Sequence, residues 1–321
     1  MTVSLCQSEK RGTDKDMDFI IASTSVTDEI RFADKKTVKK VAGGAGIYAL
    51  CGIKLWSDSV MPVTGVGRDY GSLYGAWYRK NGIPMDGLIV KSDKTPYNVI
   101  QYFEDGERSE TPLYGPDHYK QIEVTPAELE QYFQTARGIY IFKNSSHDFW
   151  QQTVPMLKKR RASVMWEIAN DSTCPECLEE VRLIAENVDI FSINLTESCR
   201  LFGVGTLEEV IERFCQWKTG MVFLRQGYRG AVMITPNEVS FVPSVKNVDV
   251  VDPTGGGNSS SGAVLYGYCS GYSPRECGMM GSIAAAMCLE QFGVPERIDE
   301  GRRMAAHRLL REMKGGDQDE K

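Results

Sequence analysis

The residues best suited to chemistry lie late in the chain, in Val250-Val251-Asp252-Pro253-Thr254-Gly255-Gly256-Gly257-Asn258-Ser259. An apolar run ends in an aspartate, three glycines follow, and the helical pattern Gly262-Ala263-Val264-Leu265-Tyr266-Gly267-Tyr268 begins at once. Backbone without Cβ atoms at a helix N-terminus turns several N–H groups toward one point, which suits a phosphate or another developing anion. Each glycine carries a backbone-entropy penalty, and a plain turn needs only one. Three in a row therefore favour a ligand loop. A proton-accepting carboxylate would be expected at the last position, and the amide of Asn258 stands there instead.

Other clusters carry less. Gly65-Val66-Gly67-Arg68-Asp69-Tyr70-Gly71 follows a strand and opens a helix, but its G-x-G-x-x-x-G spacing departs from the dinucleotide fingerprint, and Asp86 precedes the next strand rather than ending it. Gly43-Gly44-Ala45-Gly46 opens another helix, where close strand–helix packing competes with ligand binding. Asn194-Leu195-Thr196-Glu197 reads as a helix start with a carboxylate in its first turn, favourable to the dipole. His118, His147 and His307 are isolated, which argues against a metal cluster or a histidine-based triad. Cys174-Pro175-Glu176-Cys177 is a lone pair of cysteines and reads as a helix start with proline at its first position rather than a zinc or redox site.

Positioning such groups requires a sizeable core, and 321 residues with 42% hydrophobic and 25% charged content supply one. Strand-length apolar runs alternate with helix-length amphipathic segments: Phe19–Ser23, then a helix over 45–56, a strand over 59–64 and a helix over 72–81. The rhythm resumes with Gly138–Phe142, a helix over 148–160, a strand over 162–168, a helix over 175–187, strand 188–193, helix 207–217 and strand 221–225. This predicts an α/β fold with a central, mostly parallel sheet flanked by helices. Residues 30–40 and 88–111, with the Asp105-Gly106 turn, interrupt it as strands without helices and predict a small β-sheet lid. Residues 231–234 and 239–242 predict a hairpin around Pro236-Asn237. Residues 1–18 are expected to be a flexible lead-in, 19–313 the domain, and 314–321 a disordered tail.

Charge and composition narrow the partners. A formal net charge of −6 argues against nucleic acid, and no run of about 18 apolar residues predicts a membrane span. Nine cysteines without regular spacing fit a reducing, cytoplasmic setting. Sheet edges in a small lid often pair with a second copy, so a homodimer through the lid is expected.

Together the motifs resemble the ribokinase-like, PfkB-type family of sugar and nucleoside kinases, in the family's order from about Phe19 to Ile298. The resemblance makes Asp28 a substrate contact, together with Gly43 and Gly44. It matches 65–71 to the G-x-V-G-x-D-x-x-G stretch, and Asn194 and Glu197 to the N-x-x-E element used around Mg²⁺ and phosphates. Leu224-Arg225-Gln226-Gly227-Tyr228-Arg229-Gly230 resembles the nucleotide-side loop, with Arg225, Gly227 and Gly230 as contacts. Asp252 to Asn258 resembles the D-T-x-G-A-G-D signature, with Gly255, Gly256 and Gly257 as the anion hole and position 258 as the catalytic base. ATP and Mg²⁺ are the implied cofactors, and a sugar or nucleoside the implied substrate.

Departures from the family pattern concentrate in a few residues. Asn258 replaces the aspartate base, Arg225 a usual threonine and Glu167 a frequent aspartate, while the asparagine expected after the paired glycines has no clear match among Ile47, Tyr48 and Ala49. An amide does not accept a proton at neutral pH, and general-base help is typically worth about 10²–10⁴-fold. Three readings follow: a slow phosphotransferase, a weakly catalytic relative that senses nucleotide or sugar, or a different reaction in the same anion pocket. In the second, Asn258 would be only a helix N-cap.

Overall fold

In the computed structural model the described residues are 17–32, 38–104 and 108–316. Most of the expected lead-in, the Asp105-Gly106 turn and residues 317–321 lie outside them. In chain order come β1 (Phe19–Ala22), β2 (Val26–Arg31), β3 (Val38–Gly43), α1 (Ala45–Lys54), β4 (Val60–Gly67), α2 (Tyr70–Lys80), β5 (Leu88–Ser92), β6 (Tyr97–Tyr102), β7 (Arg108–Pro112) and α3 (Pro116–Ile122). Two single helical turns follow, α4 (Pro126–Leu129) and α5 (Tyr132–Thr135). Alternation then sets in with β8 (Gly138–Lys143), α6 (His147–Leu157), β9 (Ser163–Ile168), α7 (Leu178–Ala185), β10 (Ile190–Asn194), α8 (Leu195–Phe202), α9 (Leu207–Phe214) and β11 (Met221–Arg225). The hairpin β12 (Ala231–Ile234) and β13 (Val239–Val242) and the helices α10 (Gly256–Cys269), α11 (Pro274–Leu289) and α12 (Glu300–Gly316) end it.

Nine strands form one sheet in the order β13-β12-β11-β10-β9-β8-β1-β4-β5. All neighbours are parallel except the β11–β12 and β12–β13 pairs. Every residue of β1 and β4 is buried, as continuous apolar runs must be when helices cover both faces of a parallel sheet. The core accordingly divides into two clusters. One contains Ile47, Leu50, Val264 and Ile283, the other Trp166, Phe191 and Phe214.

A second sheet, β3-β2-β6-β7, is the small lid-like layer. Its first strand begins earlier than expected, at Val26. Leu88–Lys91, expected in this layer, instead extends the large sheet as its edge strand β5, parallel to β4. Half-exposed edge strands lack the unbroken apolar run of a central strand, which is why 88–91 looked like a surface element. Lys314 to Gly316, expected in the tail, continue α12.

Strand order reverses at β1, which lies between β8 and β4 although the chain runs from β1 toward β4 first. In such sheets ligands bind outside the carboxyl ends of the strands at that switch. Asn194 and Arg225 are the last residues of β10 and β11 and are register partners, and Glu167 is the penultimate residue of β9. Helix α10 reaches the same end because it packs backbone to backbone on α1. A Cβ at Gly262 would stand 2.1 Å from the Ala49 carbonyl oxygen.

Candidate active site

The glycine segment forms the first turn of α10, with Gly255 as its N-cap in the left-handed region at φ 80°. A side chain there would be strained and would also strike Tyr48, whose Cδ1 lies 2.0 Å from an added Cβ. Asp252 is buried and fixes the loop: Oδ1 accepts from the Thr254 N–H at 2.9 Å and the Tyr102 hydroxyl at 2.5 Å, and Oδ2 from the Gly293 N–H at 3.1 Å. It therefore acts as a brace for the glycine loop. Tyr102 thereby ties the small sheet to the glycine loop.

Three cavities meet at this turn. The first, about 510 Å³, is lined by Asp28, Tyr48, Asn98, Glu110, Gly255 and Asn258, among others. The small sheet forms its roof. Asp28 and Asn98 are register partners in β2 and β6, so period-two geometry places them on one face. Gly43 leaves room for Asp28, since its Cβ would overlap the carboxylate at 1.8 Å. Burial, then the charge of Glu110, push the Asp28 carboxyl up to about 7, against hydrogen bonds from the Gly44 backbone and Asn98. Of Ile47, Tyr48 and Ala49, only Tyr48 lines this cavity, and its hydroxyl is buried without a partner.

The second cavity, about 510 Å³ and mostly apolar, lies between β11, the Gly227–Gly230 loop and α11, with Val250, Gly256, Gly257 and Leu289 on its wall. The third, about 520 Å³, is a channel lined by Asn194, Glu197, Arg200, Arg225, Arg229 and Gly257, among others. Arg200 and Arg229 were not singled out beforehand. Arg200 was signalled by its i+3 spacing from Glu197, and Arg229 by its place between Gly227 and Gly230. Tyr102 was signalled by its alternation with Asn98 and Ile100.

Beneath the turn the unusual residues touch one another. Asn258 is the third residue of α10, not its cap. Its Nδ2 donates to Glu167 Oε1 at 2.9 Å and lies 3.4 Å from the Tyr140 hydroxyl. Glu167, 2% exposed, also accepts from Tyr140 at 2.8 Å and pairs with Arg225 Nη1 at 2.9 Å. Burial and Glu167 hold the Tyr140 phenol well above its ordinary value, so it remains a donor. Arg225 Nη2 stands 3.9 Å from Glu197, whose carboxyl burial pushes upward.

Asn194 and Glu197 form a capping box. Asn194 Oδ1 accepts from the Glu197 N–H at 2.9 Å, and Glu197 Oε2 from the Asn194 N–H at 3.0 Å. A divalent cation placed there, bare or hydrated, would face the Arg225 guanidinium, and no group of three or more metal-binding side chains occurs among the described residues. These residues therefore do not form a direct protein cage for Mg²⁺. The 65–71 stretch is structural: Asp69 Oδ1 accepts from the Thr95 N–H at 2.7 Å and its hydroxyl at 2.6 Å.

The family model for pfkB family carbohydrate kinase matches residues 13–300. The chain is similar to an uncharacterised sugar kinase of Archaeoglobus fulgidus, with 32% identity over 73% of this chain and 92% of that one. It is 23% identical to a cytidine kinase of Thermococcus kodakarensis, over 86% of this chain and 98% of the other. The structure of Arabidopsis thaliana ribokinase complexed with ribose and ATP superposes with a TM-score of 0.70 at 19% identity, covering 92% and 98% of the two chains. The fold is ribokinase-like, and the family match defines a kinase. The chain belongs to the pfkB carbohydrate kinase family. No helix among the described residues is long and apolar enough to cross a membrane.

Proposed function

We propose that the chain transfers the γ-phosphoryl group of ATP to a hydroxyl of a neutral sugar or nucleoside. One observation carries this reading: the first turn of α10 walls all three cavities, with Gly255 and Asn258 in the first, Gly256 and Gly257 in the second and Gly257 in the third. An acceptor in the first cavity, a base in the apolar second and phosphates in the third then converge on one set of backbone N–H groups. The relatives agree with this, being a ribokinase crystallised with ribose and ATP and a kinase of cytidine.

In the transfer, the acceptor oxygen forms a bond to the γ-phosphorus while the bond to the β–γ bridging oxygen breaks and ADP leaves. The transition state is loose, so positioning and charge stabilisation supply most of the catalysis. The N–H groups at the start of α10 meet the charge on the phosphoryl oxygens. Asp28 and Asn98 orient the acceptor. Because Asn258 commits its amide nitrogen to Glu167, it offers the acceptor a carbonyl oxygen, which takes a hydrogen bond but not the proton. That proton passes to water or to a cavity carboxylate, and the reaction is slow by the roughly 10²–10⁴-fold that a general base supplies. A panel of neutral sugars and nucleosides assayed for ADP release tests the reading. Release should rise with at least one acceptor, and a panel giving no acceptor-dependent ADP would overturn it.

A further inference from the structure

We infer that the third cavity holds the donor's polyphosphate with the chain's own guanidinium groups, so that nucleotide binding does not require a divalent cation. The inference rests on the reading of that channel as the donor-phosphate site.

Arg200, Arg225 and Arg229 line the channel, and Glu197 is the one acidic residue among its described lining. Arg225 is central. An added Cβ at Gly257 would stand 2.2 Å from its Nη1, so the guanidinium lies against the first turn of α10 with no side chain between them. Two positive features, a guanidinium and a helix N-terminus, are thus held side by side. Glu167 balances them from below, and an anionic oxygen on the channel side would join both. The Arg225 side chain is 14% exposed, and its Nε is buried without a protein acceptor. This leaves an N–H donor of the planar fork without a partner.

The other two arginines are exposed, and each has a partner beside the cavity. Arg200 donates to the Asn170 side chain, which also lines the channel. Arg229 lies over the Tyr228 ring at 5.6 Å from its centroid, with Nε 3.3 Å from the Tyr228 hydroxyl. Guanidinium forks match phosphate oxygens two at a time and stay charged at any physiological pH, and groups positioned in advance lose less freedom on binding. A polyphosphate usually needs a metal ion to offset its charge. Here that charge meets three guanidinium groups, while Asn194 Oδ1 and Glu197 Oε2, in the residues expected to hold the ion, are engaged in a capping box beside one of them.

The test is isothermal titration of the full chain with ATP and with inorganic tripolyphosphate, in EDTA and in magnesium chloride. Both ligands should bind in EDTA within about threefold of their affinity in magnesium. The Arg200→Ala/Arg229→Ala variant, altered only at exposed side chains, should lose roughly tenfold in EDTA and distinctly less in magnesium, and Arg225→Lys should do the same. ATP bound only in magnesium overturns the inference and leaves the kinase reading standing. Equal losses in both buffers also overturn the inference. Tripolyphosphate bound in EDTA while ATP fails in both buffers sustains the arginine clamp and overturns the nucleotide reading. Failure of both ligands in both buffers overturns the two together.

Discussion

The first cavity, proposed for the acceptor, and the third, proposed for phosphates, are nearly equal in volume and opposite in charge. No lysine, arginine or histidine appears among the described residues lining the first, which holds Asp28 and Glu110. Three arginines and one glutamate line the other. A single helical turn separates them, so under the proposed function ligands would be sorted by charge, the acceptor to one side and phosphates to the other. One buried group touches the residues of both: Glu167 binds Asn258 on the acceptor side and Arg225 on the channel side. Three of the departures from the family pattern, Asn258, Glu167 and Arg225, are therefore one contact network. With a glutamate 2.9 Å away and one guanidinium to balance it, an aspartate at 258 would place like charges together. The amide is what that arrangement accommodates.

Cutting the network on the channel side should have the largest effect. Arg225→Thr leaves Glu167 buried and uncompensated, and breaking a buried pair from one side typically costs about 3–5 kcal/mol. Urea unfolding should show a loss of that size, and Arg225→Thr/Glu167→Gln should recover most of it. If the double variant is no more stable than the single, Glu167 is not the group that Arg225 compensates.

Exchanging the charge across the turn should come next. Asn258→Asp alone introduces the missing base beside Glu167 and should raise turnover little. Adding Glu167→Gln keeps the number of charges and removes the repulsion, so the pair should raise kcat by roughly tenfold to a hundredfold. Steady-state ADP release decides between them. A gain from Asn258→Asp alone that equals the double variant's would show that Glu167 does not govern position 258.

On the acceptor side the expected effect is about tenfold, and it depends on pH. The Asp28 carboxyl is pushed up from 3.8 to about 7. Below that pH it is protonated, and above it the carboxylate accepts from acceptor hydroxyls, a charge-assisted bond worth about 1.5–3 kcal/mol. KM for the acceptor should therefore fall as pH rises through 7, and Asp28→Asn should abolish the trend. The sign for stability is opposite. The folded state holds this proton more tightly than the unfolded one, so Asp28 stabilises less as pH climbs from about 4 to 7, and the asparagine variant gains relative stability above 7. A KM trend that survives the substitution would assign the titration to another group.

Much of this architecture was legible because parallel strands buried on both faces leave long apolar runs. The strand at 221–225 and the hairpin at 231–242 fell where those runs and the Pro236-Asn237 turn placed them. The edge strand at 88–92 did not, since an edge is only half covered and every one of its residues is partly or fully exposed. The glycine segment marked the start of α10 because three missing side chains are a local signal. The Asn258–Glu167 bond spans 91 residues, and no local periodicity encodes a contact of that span. Each of its members looked like a separate oddity until the strand ends brought them together.

The smallest predicted effect tests whether the two cavities can be disturbed independently. Tyr102 joins the roof of the acceptor cavity to the glycine loop through Asp252, at 2.5 Å, and Thr254, at 3.0 Å. In Tyr102→Phe, Asp252 keeps its bonds from the Thr254 and Gly293 N–H groups, so the glycine loop retains its shape while the roof loses one of its anchors, the Tyr74 bonds to Thr27 and Val41 remaining. The loss of stability should be about 1 kcal/mol. Acceptor KM should rise several-fold, because the roof carries Asp28 and Asn98, while the affinity for tripolyphosphate should stay within about twofold, because no channel residue has moved. Calorimetry and acceptor titration on the same preparation separate the outcomes. If both ligands weaken together, the turn of α10 transmits disturbance between the cavities, and the acidic and basic sides work as one site.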